Sequence, residues 1–299
     1  MSALGASGPD GVDGSSVAST GAGALYVVST PIGNLGDMTY RAVEVLRSVG
    51  LIVAEDTRHS RTLLSHYQVE TPAIAYHEHN EARETPRLVR RMLQGESIAL
   101  VSDAGTPLLS DPGSRLVRAA ADAGVGVFPV PGASALLAAL VAAGIPADQF
   151  TFVGFLPRKG SDREQALRKI ATASVTTVLY ESPQRVGDTL DDLIRVGCGE
   201  RDAAFCRELT KRYEEIRRGT VSTLRDGLGE SPRGEFVLIV GAGAERELSA
   251  AETLTVASRL RQDGLLPREI VDRLTQEFRV PRNVAYKLAH ERPDTALGD

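Results

Sequence analysis

The stretch IALVSDAGTPLLSDPGSRLVRAA, residues 98 to 120, decides the fold. A short apolar run enters a segment crowded with Asp, Gly, Pro, Ser and Thr, and a helix-period segment leaves it. Strand, loop and helix in this order are typical of an α/β sheet, in which ligand loops follow the carboxyl ends of strands. Glycine permits close backbone approach and positive φ, and proline stiffens a turn. The stretch therefore predicts a parallel strand followed by a ligand loop.

The same alternation of strand and helix continues on both sides of this stretch. The segment YRAVEVLRSVG, for example, has apolar residues at helical spacing between two apolar runs. The predicted buried strands are ALYVVST from residue 24, LIVAED from residue 51, AIAYH from residue 73, SIALVSD from residue 97 and VGVFPV from residue 125. Alternating strands and helices predict a mostly parallel sheet that is covered on both faces.

A second α/β domain is predicted where this pattern changes. The runs FTFVGFLP, TTVLYESP, DAAFCREL and EFVLIVGA are joined by two helical segments and by a predicted hairpin over residues 210–228, which favours a mixed sheet. We place the first domain at 24–147 and the second at 148–241, and we expect a cofactor cleft between them. Three short helices are predicted within residues 250–292 as a small C-terminal helical appendage.

Residues 1–23 are rich in Gly, Ser and Ala and have almost no large apolar side chain, so they are predicted to be a disordered tail. The whole chain of 299 residues is 42% hydrophobic and 24% charged, as in ordinary soluble globular proteins. It has no apolar run of the roughly 20 residues that a membrane helix needs, and no signal peptide is recognisable, so a cytoplasmic location is expected.

Charge and cysteine content exclude several classes of protein. A net charge of −5 argues against a protein that coats nucleic acid through a bulk positive field. Cys198 and Cys206 lack the spacing of a metal or redox motif, and His77 and His79 lack a third ligand, so no metal site is predicted. No GxxxxGK[ST] loop occurs in the sequence, which excludes a P-loop nucleotide-binding protein.

Three loops at strand ends are candidate ligand loops: STPIGNLGD at 29–37, SDAGTPLLSDPG at 102–113 and VPGASA at 130–135. Because the carboxyl ends of parallel strands share one edge of a sheet, three such loops together favour a ligand site over ordinary turns. Polar clusters follow other strands and could line the same site. They are EDTRHSR at 55–61, LPRKG at 156–160, YESPQR at 180–185 and RELTKRYEE at 207–215.

These motifs, in collinear order over residues 24–241, resemble the ribosomal RNA small subunit methyltransferase I family within the tetrapyrrole methylase superfamily. The resemblance implies a homodimeric enzyme that depends on S-adenosylmethionine. It also implies methylation of the ribose 2′-hydroxyl of a cytidine in the decoding region of small-subunit ribosomal RNA, with free RNA or the 30S subunit as substrate. Where superfamily relatives carry Gly-Pro-Gly in the first loop, this chain has TPIGN, which suits the RNA branch.

The resemblance also implies roles for individual residues. The cofactor contacts that it implies are Pro31, Gly33, Asp103, Ala104, Gly105, Thr106, Pro131, Gly132, Ala133, Ser134, Phe155 and Leu156. The candidates for a base near the ribose hydroxyl are Lys211, Glu181 and Asp56. The expected RNA contacts are Arg58, His59, Arg158, Lys159 and Arg185, because Arg and Lys form charge-assisted bonds to phosphate.

Two other functions remain open from the sequence. A tetrapyrrole methyltransferase of the precorrin or uroporphyrinogen type would share the cofactor loops. The interpretation as a non-enzymatic nucleic-acid binder depends on residues 268–291, REIVDRLTQEFRVPRNVAYKLAHE, whose pattern suggests a helix-turn-helix. This segment is nearly balanced in charge, which disfavours a lone duplex binder.

Overall fold

The computed structural model describes residues 23–229, 231–243, 250–278 and 280–290. They form two compact units, of which the first runs to Ala138 and includes the later segment Glu208–Glu214. The predicted tail lies outside the described residues except for Gly23. This residue is buried and donates its N–H to the Met92 carbonyl at 2.7 Å, so the ordered first unit already includes Gly23.

The first unit contains a five-stranded parallel sheet in the order β3-β2-β4-β1-β5, which confirms the predicted parallel sheet. Its strands are β1 (Ala24–Val28), β2 (Leu51–Ala54), β3 (Ala73–Ala75), β4 (Ile98–Val101) and β5 (Gly126–Val130). The helices that follow them are α1 (Tyr40–Ser48), α2 (Thr57–His66), α3 (Glu81–Leu93), α4 (Ser114–Asp122) and α5 (Ala135–Ala143).

The two faces of this sheet carry separate hydrophobic cores. In β4, Ile98 and Leu100 pack with Leu88 and Leu116 from α3 and α4. Ala99 and Val101 belong to the cluster on the other face, which includes residues of α1 and α2. This division follows from the two-residue period of a strand, and it explains why every residue of β4 is apolar and buried.

The second unit contains a mixed sheet in the order β6-β7-β10-β8-β9, as the sequence predicts. Only β6 and β7 pair in parallel; the other neighbours pair antiparallel. The strands are β6 (Phe150–Phe155), β7 (Thr176–Glu181), β8 (Asp202–Arg207), β9 (Glu215–Thr220) and β10 (Phe236–Val240). The α-helices between these strands are α6 (Ser161–Ala171), α7 (Val186–Leu193) and α8 (Val221–Asp226), and a short π-helical segment, Ile194–Cys198, continues α7.

The prediction of a hairpin within residues 210–228 is wrong. The chain forms β9 and then α8 there, and the hairpin partner of β9 is β8. The reason is local: the Thr220 hydroxyl accepts a hydrogen bond from the Thr223 N–H at 3.2 Å, and the Thr223 hydroxyl accepts one from the Thr220 N–H at 2.7 Å. This reciprocal cap starts a helix where a second strand was expected.

Three short helices follow, as predicted: α9 (Ala250–Gln262), α10 (Pro267–Glu277) and α11 (Arg282–His290). They share a small core of their own that includes Ala257, Ile270, Leu274 and Ala285. Within the described parts of the chain, no helix has both the length and the apolar character needed to cross a membrane.

Candidate functional site

The three predicted ligand loops are joined to one another at the carboxyl edge of the parallel sheet. Thr30 donates its N–H to the Gly105 carbonyl at 2.8 Å, and Gly105 donates its N–H back to the Thr30 carbonyl at 3.0 Å. The Ser29 hydroxyl donates to the Thr106 hydroxyl, and Thr106 donates to the Ala133 carbonyl, both at 3.2 Å. The loops after β1, β4 and β5 therefore form one connected surface.

Two glycines allow the loops to approach this closely. Gly105 is buried with φ at +78°, and a Cβ there would stand 3.1 Å from Cγ2 of Ile32. A Cβ at Gly132 would stand 3.0 Å from Cβ of Ser29. Ala104, Pro131 and Gly132 are exposed, so backbone on this joined surface is accessible to a ligand. The surface fits a small ligand that binds through backbone groups.

The edge beside these loops is acidic. The Asp103 carboxylate accepts a hydrogen bond from the Asp56 N–H at 3.0 Å, which ties the second loop to the loop after β2. Burial raises the pKa of Asp111 to about 6, and the negative charges of Glu55 and Asp103 contribute. Burial and Asp103 likewise raise the pKa of Glu55. A nearby cation would be stabilised here, and sequence reasoning missed Asp111 and Glu55 because their burial is not visible in a loop sequence.

Asp56 caps the start of α2 and is paired with Arg58. Its carboxylate accepts from the Arg58 N–H at 2.8 Å and from the Arg58 guanidinium at 2.7 Å. The hydrogen bond from that guanidinium is the main cause that lowers the pKa of Asp56 to about 2. A carboxylate with so low a pKa accepts protons poorly, which disfavours Asp56 as a base. Arg58 and His59 are exposed, as RNA contacts would need to be.

Lys211 lies against the first ligand loop. A Cβ at Gly33 would overlap Cγ of Lys211 and stand 2.9 Å from its Cε, so glycine at position 33 makes room for the lysine stem. The Lys211 ammonium lies 3.0 Å from a carboxylate oxygen of Glu208. The structure thus brings Lys211 and Gly33 together although they are far apart in sequence, and Glu208 is a member of this group that sequence reasoning did not single out.

Glu181 belongs to the second unit and is 1% exposed. One oxygen accepts from the Thr189 hydroxyl at 2.7 Å and the other from the Ser182 N–H at 2.9 Å. The Arg185 guanidinium lies 3.4 Å from the same carboxylate. Both oxygens are therefore engaged inside the protein, and this arrangement favours a positioning role for Glu181 over that of a base.

The network around Glu181 holds the backbone of the LPRKG motif. Arg185 donates to the Leu156 carbonyl at 2.7 Å, and Arg163 donates to the Pro157 carbonyl at 3.1 Å. Arg163 also donates to the Thr189 hydroxyl at 3.1 Å, which links both arginines through Thr189 and the Glu181 carboxylate. Arg163 is also paired with the Asp192 carboxylate at 2.8 Å, so Glu181 and Asp192 together support the arginines that hold this loop.

The predicted contacts in the LPRKG region differ in exposure. Phe155 is 54% exposed, whereas Leu156 is 2% exposed and packs in the core of the second unit, so the Leu156 side chain is not accessible to a ligand. Arg158 and Lys159 are exposed. The guanidinium of Arg185 is engaged with the protein itself. We therefore keep the prediction of RNA contacts here for Arg158 and Lys159.

Replacing Glu181 by alanine is expected to lower the free energy of unfolding by about 3–5 kcal/mol, because it leaves the partly buried Arg185 without its carboxylate partner and the buried Thr189 hydroxyl without its acceptor. Glu164 is a matched control: its pair with Arg195 is half exposed, so Glu164→Ala is expected to change stability by less than about 1 kcal/mol. Denaturant unfolding measures both values. Equal losses in the two variants would contradict the role of Glu181 as the centre of the network.

Comparison with known proteins places the chain in a family. Residues 24–225 match the model of the family described as Tetrapyrrole (Corrin/Porphyrin) Methylases. Proteins named "Ribosomal RNA small subunit methyltransferase I" are similar over most of the chain. The one from Synechocystis sp. is 44% identical over 90% of this chain and 98% of its own length. The one from Pseudomonas aeruginosa is 45% identical over 91% and 98%.

Solved structures share the fold at lower identity. Uroporphyrin-III-C-methyltransferase from Thermus thermophilus matches with a TM-score of 0.52 and 23% identity, over 73% of this chain and 94% of that one. A diphthine synthase matches with a TM-score of 0.56 and 16% identity, over 73% and 89%. At these identities the structures show the fold alone. The match to the family model and the identity to curated relatives place this chain in the ribosomal RNA small subunit methyltransferase I family of tetrapyrrole methylases.

Proposed function

We propose that this protein transfers a methyl group from S-adenosylmethionine to the ribose 2′-hydroxyl of a cytidine in the decoding region of small-subunit ribosomal RNA. The observation that carries the proposal is the joined surface of the three ligand loops. The side chain of Lys211 packs against this surface at Gly33 of the first loop. The printed names of the relatives support ribosomal RNA as the substrate. The acceptor atom and nucleotide come from the resemblance of the motifs.

The joined loops suit both charged groups at the methionine end of the cofactor. When bound, S-adenosylmethionine supplies a methyl group that its sulfonium makes electrophilic. Backbone N–H groups of the loops would hold the carboxylate, and Asp103 with the acidic edge around Glu55 and Asp111 would attract the ammonium. The proposed contacts are Pro31, Gly33, Asp103, Ala104, Gly105, Thr106, Pro131, Gly132, Ala133, Ser134, Phe155 and the backbone of Leu156.

Of the three residues predicted near the ribose hydroxyl, Lys211 is the one that the geometry favours, because it lies against the first ligand loop. Asp56 is paired with Arg58, and Glu181 is engaged inside its own unit. Methyl transfer to a hydroxyl also releases a proton. The Lys211 ammonium, which pairs with the Glu208 carboxylate, would orient the ribose oxygen as a hydrogen-bond donor. Glu208, which pairs with Lys211, would then be the carboxylate that takes the proton.

Binding of RNA would rely on local patches because the net charge is −5. Arg58, His59, Arg158 and Lys159 are exposed and are the proposed contacts to phosphate. We propose that the C-terminal helices assist, since α9 to α11 form their own core and carry several arginines. Affinity for RNA is then expected to fall only shallowly with salt, because few phosphates are neutralised.

We also propose that the protein acts as a homodimer. The observation in favour is the apolar helix α5, on which Leu137 is 54% and Val141 is 83% exposed. Large apolar side chains so exposed on an apolar helix are typical of an interface. Sedimentation that gives the mass of a single chain at micromolar concentration would contradict a stable dimer.

A methyl-transfer assay tests the function. Labelled S-adenosylmethionine is offered with 30S subunits from a strain that lacks the homologous enzyme, with free small-subunit RNA, and with a uroporphyrinogen. Label is expected in the RNA of one or both RNA-containing substrates and absent from the macrocycle. Transfer to the macrocycle alone would favour the tetrapyrrole alternative, and cofactor binding without any transfer would contradict the proposal.

A further inference from the structure

The segment Glu208–Glu214 carries a large aromatic side chain, Tyr213, that is mostly exposed to solvent. Tyr213 is 67% exposed, and the Arg212 guanidinium lies over its ring, 5.6 Å from the centroid. Exposed tyrosine and arginine planes are the groups on which proteins stack unpaired bases of RNA. The pair therefore has the chemistry of a nucleobase platform.

The backbone around this pair is held in an uncommon conformation. Glu208 and Thr210 have φ at 51° and 66°, in the left-handed region that side chains other than glycine rarely adopt. The turn is fixed by hydrogen bonds from the Lys211 N–H to the Glu208 carbonyl at 2.9 Å and from the Thr210 N–H to the Glu214 carboxylate at 2.6 Å. Such conformations persist where the surroundings impose them, and they concentrate at functional sites.

The position of the segment relates the platform to the ligand loops. Lys211 packs its stem on Gly33 of the first loop and pairs with Glu208 at 3.0 Å. Both ends of the segment are fixed by the paired strands β8 and β9. Because Tyr213 follows Lys211 within one short constrained turn, a base on its ring would belong to a nucleotide near the one that Lys211 contacts.

We propose that Tyr213, flanked by Arg212, is a stacking site for an unpaired base of the substrate RNA, at or next to the methylated nucleotide. The inference rests on the proposed function for the identity of the RNA. The role of Tyr213 would be to position the nucleotide. Loss of its ring should therefore change the affinity and KM for RNA and leave the affinity for S-adenosylmethionine unchanged.

The test compares Tyr213→Ala with Tyr213→Phe, which keeps the ring, and with Leu93→Ala. Leu93 is 52% exposed at the carboxyl end of α3, a helix that leads into the amino end of β4, at the opposite edge of the sheet. Tyr213→Ala is expected to weaken binding to 30S subunits and raise KM by about 5- to 150-fold, the range for loss of one stacked base. The other two variants are expected to stay within about 3-fold of the wild type.

Binding and transfer are measured separately so that the two proposals can fail separately. If the wild-type protein binds the RNA but does not methylate it, and Tyr213→Ala binds the RNA more weakly, the stacking site is supported and the proposed reaction is overturned. Unchanged RNA affinity and KM in Tyr213→Ala would overturn the stacking site while the reaction stands. Equal losses in Tyr213→Phe and Tyr213→Ala would also overturn stacking, because the ring would not be what matters.

Discussion

Replacing Lys211 by methionine is expected to lower kcat for RNA methylation by about 10²- to 10⁴-fold, the range for acid–base groups, because it removes both the donor to the ribose oxygen and the partner of Glu208, the proposed proton acceptor. Methionine keeps an unbranched stem for the space beside Gly33 and removes the ammonium that pairs with Glu208. Affinity for S-adenosylmethionine, measured by calorimetry, is expected to stay within about 3-fold because Lys211 is not among the contacts proposed for the cofactor.

Two further variants separate the possible roles of this pair. Lys211→Arg keeps the charge and is expected to recover part of kcat if Lys211 acts as a donor, and none if it must lose its proton, since arginine stays protonated. Glu208→Gln is expected to lower kcat and to change its dependence on pH if Glu208 takes the proton. A Lys211→Met enzyme with wild-type kcat would remove Lys211 from the chemistry.

Replacing Gly105 by valine is expected to raise the Kd for S-adenosylmethionine by more than about 100-fold, equivalent to roughly 2.7 kcal/mol or more. The sequence predicts this loss with the fold unaffected. The structure adds a cost to folding, because φ is +78° and a Cβ would press on Ile32 at 3.1 Å. A β-branched residue in this conformation strains the joined loops, including the paired backbone of Thr30.

Gly124 provides a matched control for the backbone strain. Its φ is +76°, almost the same as that of Gly105, and a Cβ there would meet no atom within 4 Å. Gly124→Val is therefore expected to lose stability through the left-handed conformation alone, by about 1–2 kcal/mol, and to bind the cofactor normally. If both variants bind normally while folded, the assignment of the second loop to the cofactor is wrong.

The sheets and the ligand loops could be predicted because their signals are local. In residues 98–120, four apolar residues form β4, and the Gly, Pro and Asp residues that follow mark the loop directly. The parallel arrangement then places the loops after β1, β4 and β5 at one edge. The same local reasoning missed α8. Thr220 and Thr223 form the cap at its start, but they lie in a segment whose pattern is also typical of a strand, and the strand was predicted instead.

The roles of individual side chains depended on contacts and burial that the local sequence pattern does not show. Arg185 and Thr189 lie only four and eight residues after Glu181, but the sequence does not show that both converge on its carboxylate and that this carboxylate is buried, so Glu181 resembled a base in a loop. The contact of Lys211 with Gly33 joins two distant parts of the chain. The raised pKa of Asp111 comes from burial and from carboxylates on other segments. These are properties of packing, and they cannot be read from the local patterns of a single sequence.

The most direct test of the central claim is methyl transfer to small-subunit RNA in which the target cytidine is replaced by 2′-deoxycytidine, assembled into 30S subunits where assembly is needed. Transfer is expected to the unmodified RNA and to RNA with 5-methylcytidine at the same position, and it is expected to be absent with the deoxynucleotide, which lacks the acceptor hydroxyl. Methylation of the deoxy substrate, or mass analysis that places the new methyl group on the base, would contradict 2′-O-methylation.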